Sequence, residues 1–147
     1  ADDRQFATRY AGQLWDLSVV DIPEPAKWLD VGGAASYLWM WEHYLHQRDL
    51  GNGHIQVIFH AINSPTEKML NTNDDCKLPP VRLDIPLSLK IPSGAKARQV
   101  WLATAEAGLS QSKLPFKEID GRVSFVIPRL RFWDVIVIEL ENASAFK

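Results

Sequence analysis

Two dipeptides, Asn52-Gly53 and Asp120-Gly121, each join apolar runs, and they constrain this chain more than any other feature. A two-residue connection with positive φ at both positions suits Asn-Gly and Asp-Gly and matches the twist of paired strands. Each therefore marks an antiparallel hairpin. Beyond the first turn, GNGHIQVIFHAIN sets Ile55, Val57, Phe59 and Ala61 on one face. VRLDIPLSLKIPSG alternates through Leu83, Ile85, Leu87, Leu89 and Ile91, with Pro86 and Pro92 on its other face. Proline there suits an edge strand or a bulge. ARQVWLATAEAG, FKEIDGRVSFVIPRL and FWDVIVIEL supply further strands. No helical period separates these runs, so a βαβ architecture is excluded.

The start of the chain differs. In RQFATRYAGQLWDL, Phe6, Tyr10, Leu14 and Leu17 recur at three- and four-residue steps, and Asp2 or Asp3 can cap a helix. Pro23 and Pro25 then stop helical structure. The pattern predicts an all-β antiparallel sandwich, immunoglobulin-like or jelly-roll-like, after a short N-terminal helix. Residues 1–20 form the helical lead-in and residues 21–147 the sandwich domain.

SYLWMWEHYLH, residues 36–46, alternates and is long enough for one strand. Tyr37, Trp39 and Trp41 share one face; Leu38, Met40, Glu42, Tyr44 and His46 share the other. In a strand such rings stand about 6.5–7 Å apart, a ladder on which successive sugar rings can dock by their C–H faces. Glu42, Gln47 or Arg48 would then bond to hydroxyls. The competing reading places the tryptophan face inward, where large rings give the largest burial. Trp28, in the proline-rich connector, is a further ring for ligand contact if exposed, whereas Trp15 and Trp28 otherwise pack the helix onto the sandwich. Trp101 and Trp133, flanked by valine and leucine, read as core or sheet-edge rings.

Charge removes several function classes. A net charge of −2 with both signs scattered offers neither a phosphate-binding stripe nor a polybasic anchor, so neither nucleic acid nor membrane is an expected partner. Cys76 is the only cysteine, which excludes an intramolecular disulfide and a cysteine-built zinc site. Asn71, Asn73, Asp74 and Asp75 are hard oxygen donors and the one calcium candidate, as β-sandwich sugar-binding domains often hold a structural calcium. Cys76 stands where an EF-hand needs glycine, so an Asx-rich turn without metal is the favoured reading. No cofactor is otherwise expected. His43 and His46 fall on opposite strand faces, and His54 and His60 lie about 20 Å apart along one strand. No G-x-S-x-G elbow occurs. Glu42, Glu106, Glu118, Asp134 and Glu139 are carboxylates for glycoside hydrolysis, but no pair stands above the others.

The order of segments resembles a known group. FATRYAGQLWDL resembles the closing helix of a (β/α)8 glycoside hydrolase, and HIQVIFHAINSP the "VHLIN-P" strand opening the C-terminal β-sandwich of such enzymes. RVSFVIPRLRFWDVIVIEL resembles that domain's closing "VP-L--W-VVVIE" hairpin. KARQVWLATAE resembles the strand before its "sPD" turn, here Ala105-Glu106-Ala107, a departure. These motifs span about residues 5–140 and resemble the C-terminal domains of dextranase-like and related glycoside hydrolases. The resemblance implies a non-catalytic accessory or carbohydrate-binding domain of a secreted or periplasmic bacterial polysaccharide-degrading enzyme. The catalytic domain of the same polypeptide and a poly- or oligosaccharide would be its partners. The family's catalytic carboxylates belong to the barrel, so none is carried over. A purely structural sandwich packed on the barrel, and a small stand-alone hydrolase or lyase, are the two other classes. The first predicts an exposed apolar patch including Phe6, Tyr10 and Trp15.

Overall fold

The structure, a computed structural model, describes residues 2–41, 43–64, 78–106 and 110–147. The calcium candidates Asn71, Asn73, Asp74 and Asp75, together with Cys76 and Glu42, lie outside them. Two short helices, α1 (Asp2–Arg9) and α2 (Ala11–Leu14), precede the strands. These are β1 (Val19–Asp21), β2 (Leu29–Asp30), β3 (Leu45–Gly51), β4 (His54–Ile62), β5 (Arg82–Lys90), β6 (Lys96–Thr104), β7 (Gln111–Leu114), β8 (Phe116–Ile119), β9 (Arg122–Leu130) and β10 (Trp133–Glu141). They form a six-stranded sheet in the order β1-β3-β4-β10-β6-β7 and a four-stranded sheet in the order β2-β5-β9-β8. All pairings are antiparallel. Among the described residues no helix is long and apolar enough to cross a membrane.

Both expected hairpins are present. Asn52 and Gly53 have φ of 56° and 77°, and Asp120 and Gly121 have 53° and 73°, so each turn is left-handed at both positions. Gly51 pairs with His54 across the first and Ile119 with Arg122 across the second.

The core lies between the sheets, where Ile55, Val57, Phe59 and Ala61 of β4 meet Ile85, Leu87 and Leu89 of β5 and Phe125 and Ile127 of β9. A second apolar cluster covers the other face of the six-stranded sheet: Phe6 and Tyr10 close over Ile58, Trp101, Ala103, Val135 and Val137. β4 and β10 are therefore buried on both faces, which explains the unbroken apolar run Val135–Ile138. Buried Gln47 ties down the C-terminal segment, its amide donating to Phe146 O at 3.0 Å and accepting from Phe146 N at 2.7 Å.

Several expectations are corrected. Residues 36–46 are not one strand. Gly32–Ser36 form a 3-10 turn, His43 has φ of 55°, and β3 begins only at Leu45. Leu38 bridges to Asn63, just past β4, while Leu45 pairs with Phe59, so a seven-residue advance on one side meets a four-residue advance on the other and three residues are extruded from the pairing. The N-terminal helical run breaks after Leu14, which strands Leu17 fully exposed and Trp15 63% exposed instead of packing the helix. Leu83 is exposed as well, because Asp84 at φ 52° interrupts the alternation of β5. Pro86 lies beyond the two residues of β5 that β2 pairs, where no neighbour on that side needs its missing N–H.

Candidate functional site

The extruded loop decides which rings face solvent. Leu38 and Tyr44 turn into the core and Met40 packs partly against it, whereas Trp39 is 45% and Trp41 65% exposed. The loop is pinned at both ends, Trp39 N donating to Ile62 O at 2.9 Å and His60 N to Tyr44 O at 2.9 Å. Between those pins the two indoles lie 6.0 Å apart, centroid to centroid, and within 20° of parallel. They form an aromatic pair open to solvent, a rare arrangement for large apolar rings.

Trp41 also borders a hollow of about 390 Å³, lined by the polar Asp21 and His43 and by Pro23 and Pro25 among others. Asp21 ends β1 directly across from His46. Its carboxylate holds two imidazoles: Oδ2 stands 2.6 Å from His43 Nδ1, and Oδ1 stands 3.0 Å from His46 Nε2. Half of the Asp21 side chain remains exposed, and a carboxylate has about four acceptor positions, so capacity is left for a ligand hydroxyl. His43 and His46, expected on opposite faces, thus converge because the left-handed His43 reverses the local alternation.

Behind His46 the network runs inward. The His46 and His60 rings meet edge to face at 5.3 Å, and His60 stacks on Trp133 at 5.9 Å. Trp133 Nε1 donates to His60 Nδ1 at 3.3 Å, which leaves the ring proton on Nε2. Burial, with His46 beside it, drives the His60 pKa down to about 4. Burial also lowers that of His46, against the attraction of Asp21. His60 is a neutral prop at physiological pH. Among the described residues no group of three or more histidine, cysteine or acidic side chains has the geometry of a metal site.

The other ring candidates are placed differently. Trp28 is half-buried, edge-on to Phe146 at 4.8 Å with Lys90 Nζ 5.9 Å from its ring. Tyr37 packs against the core under the Arg82 guanidinium, 4.2 Å from its centroid. Neither of the described polar neighbours expected for the rings takes that place. Gln47 is buried, and Arg48 Nε donates to Ser18 Oγ at 3.0 Å. Asp21 was missed because its pairing with His46 joins positions 25 residues apart in a topology that no local pattern encodes.

The described carboxylates hold structural positions. Arg129 Nη1 donates to Glu106 Oε2 at 2.6 Å, Glu118 accepts from Ala97 N at 2.9 Å, and Glu139 accepts from the Gln56 and Gln99 amides. Asp134 is buried, bonded to Thr104, and burial raises its pKa to about 7.

The profile of the family described as glycosyl hydrolase family 66 matches residues 47–137. Among solved structures, the fold is similar to that of a cycloisomaltooligosaccharide glucanotransferase from Paenibacillus sp. in complex with cycloisomaltoheptaose. The TM-score is 0.64 at 17% identity, and the match covers 92% of this chain and 20% of that one. The chain thus spans about a fifth of the length of that enzyme. An α-L-fucosidase isoenzyme 2 from Paenibacillus thiaminolyticus aligns over 64% of this chain and 13% of its own at 16% identity. Its TM-score of 0.42 is too loose to carry an argument. A search of curated proteins gives no match. The Trp39/Trp41 loop and Asp21 precede the segment that the family profile matches.

Proposed function

The chain belongs to glycosyl hydrolase family 66, and on that premise we propose that it is a non-catalytic accessory β-sandwich of a polysaccharide-degrading enzyme, binding glycan on Trp39 and Trp41. The carrying observation is the parallel, exposed indole pair at the lip of the Asp21/His43 hollow. Pyranose C–H faces dock on such rings by dispersion and apolar burial. Asp21 accepts from a sugar hydroxyl, while its two imidazole partners hold the carboxylate in place. Contacts of this kind are shallow and water competes for every hydroxyl, so affinity is modest. The gain is effective concentration: a catalytic domain on the same polypeptide is kept beside its polymer. Such an enzyme acts outside the cytoplasm, in the secreted or periplasmic space where polysaccharide is met.

The matched glucanotransferase is in complex with cycloisomaltoheptaose, so that ring and its linear counterpart isomaltoheptaose are the first probes. In affinity electrophoresis and tryptophan-fluorescence titration, Trp41→Ala is expected to weaken binding about tenfold, roughly 1.4 kcal/mol. Trp39→Ala should act in the same direction. Unchanged affinity in both variants, or no binding by the parent chain to any of a panel of glycans, removes the proposal.

A packing role draws on a different observation. Phe6 and Tyr10 are already covered by their own sheet, which corrects the patch expected of a structural domain, but Trp15 and Leu17 remain exposed on the α2–β1 connection. Cross-linking at Trp15 to the rest of the enzyme, with no glycan retention, would favour that role.

A further inference from the structure

We propose that the outer face of the four-stranded sheet is a second saccharide-binding surface, separate from the tryptophan loop and able to hold another stretch of the same polymer. The proposal rests on the reading of this chain as a glycan-contacting domain, though not on Trp39 or Trp41.

The face carries a groove of about 690 Å³. Its floor is ordered by strand register. Asp30 lies opposite Ser88, Ser88 opposite Ser124, and Ser124 opposite Lys117, so one polar row crosses all four strands. At about 4.8 Å per strand the row is roughly 14 Å long. Beside it, two residues along each strand, Pro86 lies opposite Val126 and forms an apolar row about 7 Å away. Pro115 and Phe116 also line the groove, the Phe116 ring packing partly against the core beneath it. Polar and apolar strips in parallel suit a ligand with hydroxyls along its edge and C–H groups on its face, which is the chemistry of a pyranose chain.

The hydrogen-bonding capacity of the row is largely uncommitted. Ser88 Oγ accepts from Arg122 Nε at 2.9 Å, which leaves its own proton to donate. Asp30 uses Oδ1 to accept from Gly32 N at 2.9 Å. Ser124 and Lys117 have no side-chain partner among the described residues. Asp30 and Lys117 stand at opposite ends of the row and the Arg122 guanidinium bonds to Ser88 between them, so the row offers both a hydrogen-bond acceptor and charged donors to a ligand's hydroxyls. A protein partner seeking a 690 Å³ apolar recess would leave this cross-strand row of serines unpaired against its own apolar surface.

The test is a set of exposed-site variants of the chain, each checked for an unchanged melting temperature. Isomaltoheptaose and soluble dextran are titrated into the parent, into the Trp39→Ala/Trp41→Ala double variant, and into Ser124→Arg and Val126→Asp, which fill or charge the groove. Residual binding by the double variant, weakened at least about fivefold by adding Ser124→Arg or Val126→Asp, is the expected result. If the double variant has lost all binding and the groove variants bind as the parent does, the groove is not a site and the loop reading stands. If groove variants alone abolish binding, the loop reading falls and the groove stands. Changed sedimentation in Ser124→Arg with unchanged sugar retention would mark a protein contact and overturn the proposal.

Discussion

Phe6→Ala is expected to destabilise the chain by about 3–5 kcal/mol, the usual cost of emptying a fully buried aromatic site. Phe6 has no exposed surface, sits 4.9 Å from Tyr10 and 5.1 Å from Trp133, and closes the outer cluster of the six-stranded sheet. α1 has only eight residues, far below the length at which a helix holds itself in water. Its docking therefore depends on the Phe6 and Tyr10 rings. Removing one of them frees α1 and exposes Ile58, Val135 and Val137, while the core between the sheets remains. Urea denaturation should show the loss in midpoint, and hydrogen exchange should show lost protection at α1 first. The tryptophan spectrum should shift red as Trp133 and Trp101 become wet. A loss below about 1 kcal/mol would mean that the helix contributes little to the sheet beneath it.

Asp134→Asn should stabilise the chain at pH 8 and leave it nearly unchanged at pH 4. Burial raises the Asp134 pKa from 3.8 to about 7, with Glu106 adding repulsion and Thr104 and Arg129 opposing. A folded-state pKa above the unfolded one means that the folded chain keeps a proton which the unfolded chain loses. Stability is therefore full below about pH 4 and falls as pH rises to about 7. A shift of about three units corresponds to roughly 4 kcal/mol, with partial relaxation making about 3 the working figure. His60 has the opposite sign: its pKa is lowered to about 4, so its contribution is present above about pH 6.5 and lost as pH falls toward 4. In the parent chain the falling Asp134 slope opposes the rising slope of His60, and of His46, whose pKa burial also lowers, so the profile is flatter than in the variant. In Asp134→Asn only the histidine slope remains, and stability should climb with pH. Thermal unfolding from pH 4 to 8 reads both curves. A constant difference between them would show that Asp134 is ionised throughout.

Much of the fold was legible because it depends on local chemistry. Asn52-Gly53 and Asp120-Gly121 are turns in any context that permits them, since few residue pairs adopt positive φ twice. Alternation in β4, and in β5 from Ile85 onward, likewise identified the faces that meet between the sheets. Where alternation misled, a single residue was responsible. His43 and Asp84, both left-handed, reset the local alternation; Asp and His adopt that conformation more readily than most residues, but no glycine or turn pattern beside these two marks them as the ones that do. Of the candidate rings, Trp39 and Trp41 came together on the surface, while Trp28 and Tyr37 were taken up by packing.

The amino-acid sequence by itself determined an antiparallel sandwich behind a short helix, the two tight hairpins, and the unusual concentration of rings at residues 37–44. Tertiary structure alone decided that the tryptophans face water, that Asp21 gathers His43 and His46, and that Asp30, Ser88, Ser124 and Lys117 fall in one row. The physical reason is the range of the interactions. Turn and strand preferences are written within a few residues, but a three-residue extrusion against β4 and the register between β2, β5, β9 and β8 depend on partners far along the chain.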